Sequence, residues 1–191
     1  MFIEEYPGLV APDLCERIIT KFESDPHTMP SVINVAGYSS VSDVRTGTSL
    51  PCPLTGDWKA LIEQLIPALN TALKRYAATY QSMRNLIDNY GLHCTSPIIE
   101  RVDPGQGFNW HCDQTMYSSE RVLTSLLYLR TVREGGATEF LQQKRSIQPE
   151  AGKIALFPSA WTHLHRGASP TSEIKYVACS FWVYDKSKVG K

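Results

Sequence analysis

Asn109-Trp110-His111-Cys112-Asp113, with the later His165-Arg166-Gly167 that runs on to Lys175-Tyr176, is the part of the chain from which its architecture is read. Successive side chains on a β-strand alternate faces, so His111 and Asp113 are expected to project to the same side. An imidazole and a carboxylate aimed at one point form half of a metal site. A second histidine from far along the chain completes a 2-His-1-carboxylate face, which leaves the opposite coordination positions open to other molecules. His-x-Asp by itself is common by chance. Its weight comes from the sequence on either side.

Around it, short β-prone runs alternate with Gly- and Pro-bearing turns: Pro97 to Val102, Val122 to Leu129, Ala137 to Leu141, Gly152 to Phe157 and Lys175 to Tyr184. Several short strands at this spacing read as a sandwich or barrel. The half before Asn89 is different. Phe2 to Val10 reads as a short strand and turn broken at Pro7-Gly8. Pro12 and Asp13 open a helix whose Leu14, Ile18, Ile19 and Phe22 fall one turn apart. From Asp57, the residues Trp58, Leu61, Ile62, Leu65, Ile66, Leu69, Leu73, Tyr76 and Tyr80 recur at helical steps, with Pro67 predicting a kink or a break into two helices. Between the helices, residues 27–56 show no sustained periodicity. Ser42 to Thr48 reads there as an edge strand or ordered loop, and the whole segment as either a substrate entrance or a plain connection.

Helices first and strands afterwards, without β-α alternation, exclude a doubly wound fold. The expected class is α+β, mainly β: a jelly roll (double-stranded β-helix, cupin-like) buttressed by N-terminal helices. One domain over 1–191 is expected, with 1–90 supplying helical support and substrate-side loops and 91–185 the jelly-roll core.

Composition narrows the function classes. Nineteen basic residues balance nineteen acidic ones, so no overall field recruits nucleic acid or an anionic membrane. The N-terminal residues lack the basic and apolar regions of a signal peptide, and no apolar run has the length of a membrane span. Five scattered cysteines (Cys15, Cys52, Cys94, Cys112, Cys179) without a C-x-x-C fit a reducing compartment, so a cytoplasmic protein is expected.

Asp103-Pro104-Gly105-Gln106, then His111-x-Asp113, Leu123-Thr124 with Tyr128-Leu129, Gly135-Gly136-Ala137-Thr138-Glu139-Phe140, Phe157-Pro158-Ser159, His165-Arg166-Gly167 and Lys175 occur in that order. In this order the motifs resemble the prolyl 4-hydroxylase-like branch of the 2-oxoglutarate/Fe(II)-dependent dioxygenases, over about residues 95 to 184. The resemblance implies an Fe(II)- and 2-oxoglutarate-dependent hydroxylase that uses O2 on an unactivated C–H bond of a small-molecule, peptide or protein substrate. A prolyl or other amino-acid substrate is the family's pattern, with release of succinate and CO2; ascorbate dependence is a family expectation. It also implies that His111, Asp113 and His165 are the iron ligands. Lys175 would meet the distal carboxylate of 2-oxoglutarate by a charge-assisted hydrogen bond, because a lysine among Tyr176, Val177 and Ala178 is otherwise a costly buried charge. Tyr128 matches the position whose phenol reaches the same carboxylate. Thr124, Leu126 and Tyr128 share one strand face and are expected to line that pocket.

His163, two residues before His165, would share its face on a strand, and alternation does not separate the two. The ten-residue interval to Lys175 and the following Arg-Gly favour His165. His27 and His93 read as structural, Cys112 as packing, and Gly135-Gly136 as a turn with positive φ. Phe108, Trp110, Trp161 and Trp182 read as either an aromatic substrate rim or core. Many relatives carry a tyrosine just before the Pro-Gly turn, where this chain has Val102 and Asp103; Tyr128 and Lys175 are expected to suffice, with Tyr90 or Tyr117 as a further contributor. The rival readings are a non-redox metal-binding cupin-like jelly roll and an inactive interaction protein. Lys175 discriminates against the first, since a simple metal site needs no partner for a cosubstrate carboxylate.

Overall fold

In the computed structural model of the protein, residues 2–35, 38–41, 44–185 and 187 are described. The elements follow in order: β1 (Glu4–Tyr6), α1 (Pro12–Ser24), β2 (Met29–Pro30), β3 (Val32–Val35), β4 (Tyr38–Val41), β5 (Thr48–Pro51), α2 (Gly56–Thr79) and α3 (Gln81–Tyr90). Then come β6 (Leu92–Cys94), β7 (Ile98–Val102), β8 (Phe108–His111), β9 (Arg121–Tyr128), β10 (Thr138–Phe140), β11 (Arg145–Ile147), β12 (Ile154–Pro158), β13 (His165–Gly167) and β14 (Lys175–Tyr184).

All strand pairs are antiparallel. The large sheet runs β1-β12-β9-β14-β7-β5-β2, with β6 also on β14, and the small sheet runs β11-β10-β13-β8. The centre of the large sheet decides where everything else goes. Along β14, Tyr176, Ala178 and Trp182 enter one core with α1 and α2, and in β9 Leu123 and Leu127 do the same. The alternate residues, Lys175, Val177, Cys179 and Phe181 of β14 and Thr124 and Leu126 of β9, line a cavity on the opposite face. Deeper on that face, Tyr128, Phe157 and Val177 pack with Phe140 and Ile147 of the small sheet. Two facing antiparallel sheets with helices behind the larger one make the double-stranded β-helix expected from the strand pattern.

The helices form for the reasons visible in the sequence, with two differences. α1 starts at Pro12 with Asp13 in its first turn and buries Cys15, Ile18, Ile19 and Phe22. α2 runs through Pro67 without a break. Pro67 and Glu63 both face solvent, so the Glu63 carbonyl that lacks an N–H donor is open to water. Ile66 is accordingly on the exposed side, not in the apolar stripe. The break falls instead at Tyr80, whose extended backbone (φ −118°, ψ 102°) separates α2 from α3.

Residues 27–56 are not structureless. They carry the β3–β4 hairpin, the short edge strand β2, and β5, which pairs with β2 on one side and β7 on the other. Each strand has only two to four residues, and two of them contain proline. Strands this short show no period, and proline suits the rim of a sheet. Of the expected Ser42 to Thr48 element, Ser42 and Asp43 lie outside the described residues, while Arg45 bridges to Phe108 and Thr48 opens β5. The N-terminal half thus adds β1, β2 and β5 to the large sheet besides its helices. No helix among the described residues is long and apolar enough to cross a membrane.

The turn at Gly135-Gly136 has positive φ at both residues, +69° and +67°. A Cβ on Gly135 would stand 2.4 Å from the Ser169 carbonyl oxygen in the turn that leads to Lys175. Gly135→Ala is expected to cost about 2 kcal/mol or more through backbone strain and clash, read as a lowered Tm.

Candidate metal centre and its cavity

His111 ends β8, and the backbone that carries Asp113 has already left the strand. The two side chains converge nonetheless, with His111 Nε2 3.7 Å from Asp113 Oδ1. His165 opens β13, which lies beside β8 with His165 and His111 in register. Its Nε2 stands 3.5 Å from Asp113 Oδ2. One ligand atom from each of the three lies within 4.8 Å of the others.

Both imidazoles are fixed from behind. His111 Nδ1 donates to the Asn109 carbonyl at 2.7 Å, and His165 Nδ1 donates to the His163 carbonyl at 2.9 Å. A carbonyl only accepts, so each ring carries a proton on Nδ1 and turns Nε2 toward the carboxylate, the nitrogen a metal would take. Burial, reinforced by nearby His165, pushes the His111 pKa down to about 4, which keeps that ring neutral. Phe108 stacks on the His111 ring at 3.5 Å between centroids and 15° between planes. Asp113 is held equally firmly: Thr124 donates from Oγ1 to Oδ2, Thr124 also bonds Ser159 at 2.9 Å, and Ser118 and Arg121 donate to the Asp113 carbonyl. Two imidazoles and one braced carboxylate make a donor set that fits a divalent ion such as Fe(II).

His163 sits elsewhere. It closes a short 3-10 turn, Trp161–His163, where Nδ1 lies 3.0 Å from Thr162 Oγ1. Strand alternation does not extend back to it, because the strand begins only at His165.

The three residues open onto a cavity of about 600 Å³. Lys175 lines it and is only 4% exposed. Among the described residues its ammonium has no hydrogen-bond acceptor and no salt-bridge partner; the Tyr128 ring lies 5.8 Å from Nζ to centroid. Desolvation by burial drives the Lys175 pKa down to about 8, against an opposing contribution from Glu100. A buried cation aimed into a cavity fits an anionic group of a bound molecule.

Several expected residues fall differently. Thr124 and Leu126 line the cavity, but Tyr128 does not: it is fully buried and donates to Thr138 Oγ1 at 2.8 Å, so Thr138 presents to the cavity in its place. Cys112 lines the cavity instead of facing away, since the strand's alternation stops at His111. Tyr117 also lines it, whereas Tyr90 packs against Tyr184 on the surface. Of the four aromatics, Phe108 lines the cavity, Trp182 is core, and Trp110 and Trp161 are on the surface. His27 and His93 are exposed and outside the cluster.

Sequence reasoning missed Arg45, Glu100 and Arg121, all of which line the cavity. For Glu100 a signal existed: Ile98, Glu100 and Val102 alternate onto one face of β7, placing an acid between two aliphatic side chains. Arg45 gave none, because its segment has no periodicity.

Residues 97–184 match a family model described as the 2OG-Fe(II) oxygenase superfamily. The chain is similar to human prolyl 4-hydroxylase subunit alpha-3, 38% identical over 71 residues that cover 37% of this chain and 12% of that protein. It is also similar to a PKHD-type hydroxylase of Synechococcus sp. (strain CC9902), 32% identical over 93 residues, covering 46% of this chain and 40% of the other. The chain therefore spans well under two thirds of these relatives. Among solved structures, the viral collagen prolyl hydroxylase from Paramecium Bursaria Chlorella virus-1, in its 2OG complex, shares the fold with TM-score 0.66 at 16% identity, over 97% of each chain. A prolyl hydroxylase from Trichoplax adhaerens, in complex with a hypoxia inducible factor peptide fragment, does so with TM-score 0.72 at 15% identity, over 98% of this chain and 85% of that one.

Proposed function

We propose that the chain is a member of the 2OG-Fe(II) oxygenase superfamily whose model residues 97–184 match, and that it acts as an Fe(II)- and 2-oxoglutarate-dependent hydroxylase. In this reading His111, Asp113 and His165 hold the metal, and Lys175 receives the distal carboxylate of 2-oxoglutarate. The observation that carries it is Lys175: a buried ammonium with no acceptor among the described residues, in the same cavity as a 2-His-1-carboxylate face. A metal-binding jelly roll without redox chemistry has no use for that lysine.

When bound, the ion and 2-oxoglutarate would supply activation of O2 for hydroxylation of a C–H bond, with succinate and CO2 as coproducts. The chain's own residues do the rest. The Asn109 and His163 carbonyls aim the two imidazoles, while Thr124 and Ser159 orient Asp113. Thr138, held by Tyr128, adds a hydroxyl to the cavity wall. Leu126, Val177 and Phe181 supply an apolar lining, which keeps water from solvating the cosubstrate chain.

A cavity of about 600 Å³ lies in the range of small-molecule sites, and a five-carbon diacid fills only part of it. The remaining volume, whose lining includes the exposed Tyr117 and Val44, is assigned to substrate. Likeness to proteins named as prolyl hydroxylases makes a prolyl residue of a peptide, or a free amino acid, the substrate class we put first. Cytoplasmic location is the matching assignment: the five cysteines are free thiols, and a reducing milieu keeps both thiols and ferrous iron reduced.

Succinate release, assayed with Fe(II), 2-oxoglutarate and ascorbate against proline-containing peptides and free amino acids, tests this reading. Substrate-dependent succinate supports it; metal-loaded protein that never consumes 2-oxoglutarate overturns it. Thr124→Val is expected to weaken divalent-metal binding about tenfold by releasing the Asp113 carboxylate. Co(II) titration followed by visible absorption measures that loss.

A further inference from the structure

We propose that Arg45 holds Glu100 away from Lys175, and that this keeps the lysine free for the cosubstrate carboxylate. The inference rests on the reading of Lys175 given above. It adds a positioning residue from the N-terminal segment, outside the part of the chain that matches the family.

The cavity is lined by only two acids among the described residues, Asp113 and Glu100. Asp113 is engaged by Thr124 at the metal face. Glu100 is therefore the acid that is left to pair with Lys175. The strand register puts it in reach: Glu100 is opposite Val177, and Lys175, two residues before Val177, is opposite Val102. The two form a diagonal cross-strand pair on one face, a separation of about 7–8 Å that long side chains span. Glu100 also opposes the depression of the lysine pKa, as a nearby carboxylate does.

What holds Glu100 in place is Arg45, whose Nη2 is ion-paired with it. Both side chains are largely buried, 16% and 14% exposed. Arg45 itself is anchored on three other sides. Nη1 donates to the Val32 carbonyl at 2.9 Å, the guanidinium lies 5.0 Å over the Phe108 ring, and the Arg45 backbone bridges to Phe108. Flanking bonds, Asn109 to the Val44 carbonyl and Thr46 to the Gly107 carbonyl, fix the segment on β8. The third cation, Arg121, is occupied by the Asp113 carbonyl and lies 3.6 Å over the Phe181 ring.

Without Arg45, a buried carboxylate and a buried ammonium would each lack a partner on one cavity wall, and pairing them relieves both. 2-Oxoglutarate would then have to displace Glu100 from Lys175. Binding should weaken when Arg45 is lost and recover when the Glu100 charge is lost as well. A purely structural role for Arg45, through its packing on Phe108, would give no such recovery.

The test is calorimetric titration of 2-oxoglutarate into protein loaded with Mn(II), which binds without turnover. Arg45→Met is expected to weaken binding about tenfold or more. The double variant Arg45→Met/Glu100→Gln should return to within about threefold of wild type, and Glu100→Gln alone should bind at least as tightly as wild type. Wild-type affinity in Arg45→Met, or a double variant as weak as the single one, overturns the proposal. Should Arg45→Met fail to fold, Glu100→Gln decides: a tenfold loss overturns, equal or tighter binding supports. If wild type itself takes up no 2-oxoglutarate, the reading of Lys175 falls and the proposal with it. If wild type binds and Lys175→Met does not, that reading stands, and the Arg45 and Glu100 variants alone decide.

Discussion

His165→Ala is expected to lower Fe(II) affinity about a hundredfold or more, because it removes one of three donors where changes to merely supporting groups already cost about 10–100-fold. His163→Ala should retain metal binding. The two histidines are neighbours in sequence, yet only His165 turns its Nε2 toward Asp113, while the His163 backbone supplies the carbonyl that orients it. That carbonyl survives the His163→Ala change. Metal content after dialysis, with Co(II) absorption as a second readout, separates the two variants. Metal loss in His163→Ala with retention in His165→Ala would move the ligand to His163.

The second large effect belongs to Lys175. Lys175→Met removes one partner of a buried charge pair and is expected to weaken 2-oxoglutarate binding by about 2–5 kcal/mol, roughly thirtyfold or more. The same change should stabilise the apo protein. In the folded state the lysine pKa is depressed from 10.5 to about 8, so the charged form is disfavoured by folding. That cost is fully present below pH 8 and fades as pH rises from about 8 towards 10.5. At pH 7 it is worth up to about 3 kcal/mol, which the methionine recovers. A gain in Tm together with a loss of cosubstrate affinity is the mark of a charge kept for binding. In the wild type, affinity for 2-oxoglutarate should fall above about pH 8, approaching tenfold per pH unit, as the ammonium of the free protein is lost. Flat affinity from pH 7 to 9.5 would contradict the assignment of Lys175.

Much of this site was legible in the sequence because strand alternation survives in β9 and β14. Thr124 and Leu126 face the cavity while Leu123 and Leu127 face the helices, and Lys175 and Val177 are separated from Tyr176 and Ala178 in the same way. Alternation failed where the strands stop. β8 ends at His111, so Cys112 turned out to line the cavity, and the convergence of His111 with Asp113 owes more to the loop bonds around Asp113 than to a pleat. Tyr128 shares the correct face, but its position at the end of β9 carries it under Thr138 and into the inter-sheet core. Residues 27–56 concealed the β3–β4 hairpin and Arg45 because each strand is too short to show a period. Their function depends on β8 and β7, partners distant in sequence that no local pattern announces. At Pro67 the expectation of a break met a solvent-facing turn of helix, where the orphaned carbonyl needs no protein partner.

Anaerobic addition of Fe(II) and then 2-oxoglutarate to the wild-type protein, followed through the weak visible metal-to-ligand charge-transfer band, tests the central claim most directly. The band should appear with both additions, saturate with 2-oxoglutarate, and be lost in Lys175→Met and His165→Ala but kept in His163→Ala. Stoichiometric metal uptake by the wild type without any band would contradict the account and leave a metal-binding jelly roll with no cosubstrate chemistry.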